Sequence, residues 1–366
     1  MKKLTVYTSV FTFSLILLSG CGLFKGEQSL EEMDKPPEEA TYTNDLKDAA
    51  SETSEEGKIK ESADAEKGAE ATTDTVERQL YLLDSNGMVV PQTVSIPKAE
   101  SKAVASQVLE YLVKNGPVTE LLPNGFQAVL PAGTQILGLD MKENGTLVVD
   151  VSDEFKNYEA ESEEEILQAM TYTLTQFENV KKVQLWINGY EQEVMPVNGT
   201  PISKGVSRAN GINIREGHSV DLMNSEAVTL YYPTQHDGNF YHVPITQHVE
   251  VEKDNVYQSI VETLVNGPTL GSNLLNVFND GTSLTAEPTY KDGVLTLNFN
   301  ENVLNSVEQA SISDKVMETL VLTLTDQPGV EAVDVKVENV EQVFNESGEA
   351  YSEPVTRNTF VPTGKL

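Results

Sequence analysis

The chain has 366 residues, 39% of them hydrophobic, a net charge of −32 and a sequence pI near 4.4. That length holds two medium domains with further segments, and a field of that sign excludes nucleic acid, or a basic patch on anionic lipid, as a mode of binding. The single cysteine, Cys21, excludes an internal disulfide and a cysteine cluster for zinc or iron–sulfur.

The amino terminus reads as an address and an anchor. Met1-Lys2-Lys3 is basic, and residues 4–18 are uncharged and largely apolar. Such a run is shorter than the ~20 residues of a membrane-spanning helix and suits the apolar core of a signal peptide. It ends in Leu18-Ser19-Gly20-Cys21, which resembles the lipobox of bacterial lipoproteins, where small residues precede a cysteine that is acylated. The expectation is a signal peptide over 1–20 and a lipid attachment at Cys21. Its acyl chains, a diacylglycerol and an N-acyl chain such as palmitate, anchor the protein to the outer face of the cell membrane; two chains anchor stably where one is marginal.

A tether follows over 21–77. From residue 22 it carries 17 Asp and Glu against 6 Lys, a net of −11, and two aromatics, Phe24 and Tyr42. Such a segment cannot bury enough surface to offset its ordering entropy and is expected to be disordered. As a flexible chain it spans roughly 40 Å, with a contour near ~190 Å.

The remainder reads as one domain written twice, over 78–215 and 226–362. Each copy opens with a hydrophobic strand, Leu80 to Leu83 and Val228 to Tyr232. A turn follows, at Asp84-Ser85-Asn86-Gly87 and at His236-Asp237-Gly238-Asn239, and then a second strand, which is a hairpin signal. A helix comes next, with Ala105, Leu109, Leu112 and Val113 on one face, or Val256, Ile260, Thr263 and Leu264. Both helices are predicted to stop at a shared tripeptide, Asn115-Gly116-Pro117 and Asn266-Gly267-Pro268, since Asn or Gly accepts a left-handed cap and Pro cannot continue the helix.

Later segments match as well. Pro131-Ala132-Gly133-Thr134 answers Asn279-Asp280-Gly281-Thr282. The strand with Leu147, Val149 and Val151 alternates as does the strand with Leu295, Leu297 and Phe299. Ser162-Glu163-Glu164-Glu165 fits a capping box at the start of a second helix. A last strand with Val183, Leu185 and Ile187 corresponds to Val333, Val335 and Val337, and Val206-Ser207-Arg208 to Val355-Thr356-Arg357. Each copy is thus expected to be an α/β (α+β) unit of order β-β-α-β-β-α-β, with both helices on one face of a mixed sheet. Nothing in the sequence sets the angle between the copies.

The tripeptide, Pro131 to Thr134, the run Val149-Asp150-Val151-Ser152-Asp153-Glu154-Phe155 and the lipobox together resemble the GerM family of sporulation and spore-germination lipoproteins. The second copy departs from the pattern at Asn279-Asp280 and at Asn298 and Asn300, which stand for Asp150 and Ser152. The resemblance implies a non-enzymatic scaffold or assembly factor of the sporulating envelope, on domains similar to ring-building modules of spore channels. Its partners would be the membrane through Cys21, envelope proteins of the sporulating cell, and further copies or other subunits in a ring. The alternative is a protein that binds or remodels peptidoglycan.

The chemistry-bearing residues are few. Asp150, Asp153 and Glu154 form the best carboxylate cluster for glycoside hydrolysis, but acids at a strand-to-helix junction also cap helices. His236, His242 and His248 are spaced by six and read as exposed strand histidines rather than a metal site; His218 stands apart. Trp186, the only tryptophan, alternates out of phase with the core residues of its strand and is an interface candidate or lies half-buried under the tail. No catalytic, metal or cofactor-binding residues are assigned, and apart from the acyl chains no cofactor is expected.

Overall fold

The computed structural model describes residues 74–99, 103–215, 224–251, 255–269 and 271–361. Cys21, the signal peptide, most of the tether, His218 and most of the segment between the copies lie outside them. Among the described residues no helix is long and apolar enough to cross a membrane.

The first half runs β1 (Thr75–Leu83), β2 (Val89–Pro97), α1 (Val104–Glu110), β3 (Ile136–Met141), β4 (Thr146–Val151), α2 (Glu163–Leu174), β5 (Lys182–Ile187) and β6 (Tyr190–Glu191). Strand β1 therefore takes in the last three residues of the expected tether. The second half runs β7 (Ser225–His236), β8 (Asn239–Glu250), α3 (Val256–Asn266), β9 (Leu284–Lys291) and β10 (Val294–Phe299), then β11 (Leu304–Ser306), β12 (Ser311–Ile312), α4 (Asp314–Leu324), β13 (Ala332–Val337) and β14 (Val355–Thr356).

Each half has a mixed four-stranded sheet, in the order β3-β4-β5-β6 or β14-β13-β10-β9. The central pairs β4/β5 and β10/β13 are parallel, and β3 and β9 are antiparallel edges. The alternation expected from sequence sets the inner face. Leu147, Val149, Val151, Val183, Leu185 and Ile187 are buried, as are Leu295, Leu297, Phe299, Val333, Val335 and Val337. Burying a side chain of that size contributes roughly 1.5–3 kcal/mol.

The opening hairpins are not strands of these sheets. β1-β2 and β7-β8 are separate two-stranded sheets. Helix α2 packs on β1 and on β5, and α4 packs on β7 and on β13, so the helices lie between hairpin and sheet. A lone hairpin leaves outward-facing backbone donors on its edge, which need partners when buried. In both halves a helix threonine supplies one: the N–H of Tyr81 donates to Thr173 Oγ1 at 3.0 Å, and that of Tyr231 donates to Thr323 Oγ1 at 3.0 Å.

Two local expectations are corrected. In the second half α3 ends at Asn266, with Gly267 at φ 81° as its cap. In the first half α1 ends at Glu110 and the tripeptide lies beyond it. There the backbone of Leu112 and Lys114 is taken by a bridge to Leu130: Val129 and Leu130 donate to the Leu112 carbonyl, and Lys114 donates to the Leu130 carbonyl. Those bonds displace the last helical turn. Asn115 still takes a left-handed φ of 60°, and Pro117 opens a short 3-10 turn. Ser162 does not cap α2 through its side chain. It is the last residue of a 3-10 turn, with ψ near 0°, and Glu163 is turned into a neighbouring loop instead.

Candidate functional site

The two halves meet through their hairpins. Met88, just before β2, and Val90, at its start, pack into the hydrophobic core of the second half, and Phe126 packs against both cores. Strand β2 lies along β8, its counterpart in the repeat. The junction relates equivalent groups to one another, as across a two-fold axis. Asn86, at the tip of the first hairpin, accepts a hydrogen bond from Asn273 Nδ2 at 2.8 Å. His236, at the tip of the second, sits against Gly125, where an added Cβ would fall 2.4 Å from its Nε2; Gly125 has φ +87°. Residues 86 and 236 correspond in the repeat, and so do the two loops. Gln127 donates to the Leu83 carbonyl at 2.8 Å, as Leu275 does to the Pro233 carbonyl at 2.8 Å.

Asn213 bridges the hairpins. Its Nδ2 donates to the carbonyls of Val89 and Pro244, and its Oδ1 accepts from the Val89 N–H. Tyr241 donates to Asp84 Oδ2 at 2.8 Å across the junction, and its ring meets Phe126 edge-on at 5.0 Å. These contacts settle the relative placement of the copies that sequence leaves open.

A polar cluster lies at the ends of α2 and α4. The tails that follow each sheet bridge β5 at Val206 and β13 at Val355, and each then presents an arginine. The Arg208 guanidinium packs over Tyr172 at 4.6 Å and bonds Asp326 of the other half at 2.7 Å. Arg357 packs over Tyr231 at 5.0 Å and donates to its hydroxyl at 3.0 Å. Burial opposes the charge on Arg208, but Tyr81 and Asp326 outweigh it and hold the guanidinium protonated. Burial, with the Asp326 charge, pushes Tyr172 up to about 12. Two of the chain's four arginines are spent here. The matched tails of the repeat signalled them; their role across the junction had no signal in the sequence.

The carboxylate cluster has structural partners. Asp150 accepts the Gly189 N–H at 2.9 Å, and Asp153 pairs with Lys156 at 2.6 Å. Glu154 is exposed, and a hydrogen bond from Ser152 holds its carboxyl below the ordinary range. Ser152 Oγ also accepts the Gln135 N–H at 3.0 Å, and Asn300 Oδ1 accepts the Ser283 N–H at 3.2 Å in the second half. The replacement of Ser152 by Asn300 therefore keeps its bond.

The most enclosed acid is one that sequence assigned to a cap. Glu163 is fully buried and accepts from the Asn198 N–H at 2.7 Å, the Thr200 N–H at 3.0 Å, Thr200 Oγ1 at 2.6 Å and Tyr158 Oη at 2.7 Å. Burial raises its pKa, but the bonds from Thr200 and Asn198 prevail and hold it below the ordinary range.

The histidines are not gathered. His242 is buried, correcting its expected exposure: its Nε2 lies 3.0 Å from Thr319 Oγ1 and its Nδ1 3.3 Å from Glu318, both on α4. His248 is exposed beside Ser225, and His236 is at the junction. Among the described residues no group of His, Cys, Asp and Glu is placed to hold a metal. Trp186 is half-buried on β5 beside Asp150 and Glu191, and its Nε1 has no partner among the described residues.

Two clefts flank the junction in corresponding places. One, of about 450 Å³, is lined by the first hairpin tip and the loop after Pro268. The other, of about 530 Å³, is lined by the second hairpin tip and the loop around Pro123. Among the described residues each has a single carboxylate on its wall, Asp84 or Asp237.

This doubled architecture has known counterparts. The family model described as Germane, sporulation and spore germination, matches residues 79–193 and again 229–343. The chain is 45% identical over 357 residues to the spore germination protein GerM of Bacillus subtilis strain 168, covering 96% of both. The chain belongs to the GerM family. The solved tandem GerMN domains of the sporulation protein GerM from Bacillus subtilis match it with a TM-score of 0.73 at 45% identity, over 79% of this chain and 100% of that one. The family's repeat is therefore the one traced above, with both halves in the same order. Its membership makes this chain a sporulation and germination protein.

Proposed function

We propose that the chain is a lipid-anchored, non-enzymatic assembly protein, held outside the cell membrane by Cys21 on a long acidic tether, that gathers envelope proteins during sporulation and germination. The observation that carries this reading is an open sheet edge. Strand β3 is the outer strand of its sheet and exposes Leu137 and Met141. Unpaired backbone groups beside exposed apolar side chains suit the addition of a partner's strand. The equivalent edge β9 is blunted by Pro288, which has no N–H to offer. A receptive edge on only one of these two equivalent strands suits side-by-side contact in a larger assembly. The acids that hydrolysis would need are engaged in structural bonds, and a glycosidase needs two of them flanking one site.

A photo-crosslinking residue at position 137, in sporulating cells, tests the reading. Adducts with discrete envelope proteins or with a second copy are expected, and few from a probe at the exposed Leu121. A zymogram showing cell-wall lysis that is abolished by Asp150→Asn or Glu154→Gln would overturn it.

A further inference from the structure

The cleft beside the first hairpin tip has features that its counterpart and the assembly reading leave unexplained. Tyr232 lines it, is 3% exposed, and its hydroxyl is buried without a partner among the described residues. A buried hydroxyl left in that state costs stability unless a ligand or water meets it. The corresponding residue of the first half is Leu82, in full contact with its own core. The hydroxyl is thus not required by the hairpin fold.

Arg215 lines the same cleft. Its guanidinium contacts Met88 Sδ at 3.2 Å and no carboxylate among the described residues. The one acid among the described residues of the wall, Asp84, does not compete for it. Its two oxygens already accept from the N–H groups of Asn86 and Met88 and from Tyr241 Oη. The remaining wall includes Ile245 and Leu274, which are apolar. A cation, a neutral donor and an apolar wall around about 450 Å³ match a small anion with a short apolar body, within the usual size range of ligand sites.

We propose that this cleft binds the C-terminal carboxylate of a peptide, with Arg215 pairing with the carboxylate, Tyr232 donating its hydroxyl hydrogen, and the apolar wall holding the last side chain. A fork of guanidinium donors suits the two oxygens of a carboxylate. The same chemistry is carried by a protein tail and by a short cell-wall peptide, and chirality separates them. The inference is independent of the β3 edge: crosslinking at position 137 can fail while the cleft binds, and the reverse.

The purified full chain in detergent is titrated by calorimetry and ligand-observed NMR with acetyl-L-Ala-L-Ala, its D,D enantiomer, and the C-terminal amide of each. One acid should bind saturably with Kd on the order of 1 mM, and its amide about tenfold more weakly. Binding of the L,L form points to a protein tail, and of the D,D form to a cell-wall peptide. Arg215→Gln should weaken the acid about tenfold and Tyr232→Phe about threefold to tenfold, with circular dichroism unchanged. Tyr232→Phe keeps the ring and removes an unpartnered group, so folding is preserved. Equal binding of acid and amide, no saturation by either acid, or wild-type affinity in both variants would each overturn the proposal.

Discussion

The first half of the molecule ties its last loop to a helix with a buried carboxylate, while the second half has Ser313 in the place of Glu163 and makes no side-chain cap there. The hairpin, the tyrosine that leans on a helix threonine, the Gly-Thr turn and the arginine tail are common to both. Thr134 Oγ1 donates to the Pro131 carbonyl at 2.7 Å, and Thr282 Oγ1 to the Asn279 carbonyl at 2.8 Å. What is shared builds the fold and the junction. What differs sits around that frame: Glu163, the extra β11-β12 pair, Tyr232 in place of Leu82, and Asp326 in place of Gln176. A residue present in one half alone is therefore a better guide to individual function than one present in both.

The contrast can be broken most strongly at Glu163. Glu163→Ala strands several buried donors and should cost ~3 kcal/mol in urea unfolding, while Ser313→Ala should change stability by less than about 0.5 kcal/mol. The acid also sets a pH dependence. Its folded pKa is depressed, so its stabilisation is complete above the unfolded value near ~4.3 and is lost as pH falls through the lower folded value. Glu163→Gln should flatten that acid limb, and an unchanged slope between variant and wild type would contradict the assignment.

Next in size is the bond across the junction. Asp326→Ala should cost about 2 kcal/mol, and a double-mutant cycle with Arg208→Ala should show a coupling of ~1–2 kcal/mol. Arg208 is partly exposed, so the coupling falls short of a fully buried pair. Asp326→Gln, which copies the first half, tests whether the asymmetry matters: restored stability would show that any hydrogen-bonding side chain suffices.

Smaller still, Thr173→Val and Thr323→Val should each cost about 1 kcal/mol, agreeing within ~0.5 kcal/mol, because each strands the same edge N–H of a hairpin. At the bottom of the scale, Asp150→Asn keeps an acceptor for the Gly189 N–H and should shift stability by less than ~0.5 kcal/mol, since Asn298 already fills the equivalent place.

The duplication, the hairpins, both helices and the alternating strands were all legible from periodicity and turn residues, because those elements are local or face a core. The helix end at Asn266-Gly267 was legible for the same reason. Its twin at Asn115 misled, because Leu112 and Lys114 pair with Leu130, and no local pattern announces a bridge that distant in sequence. Glu163 resembled a capping residue since its partners, Asn198 and Thr200, lie more than thirty positions on. His242 read as exposed because alternation marks a face of a hairpin and does not reveal that α4 covers it. The separate hairpin layer and the junction were hidden likewise: pattern records that a face is apolar, not which body covers it.

Because the halves share one chain, their mutual docking is intramolecular. Tethered partners see each other at effective concentrations of order millimolar, whatever the protein concentration, so the junction does not dissociate on dilution as a dimer of single domains would. A change in a symmetric dimer is also made twice, once on each side. Here a substitution is made once. Asp326 can face Arg208 without a second aspartate opposite, and a tyrosine can line one cleft while its leucine counterpart stays wholly within a core.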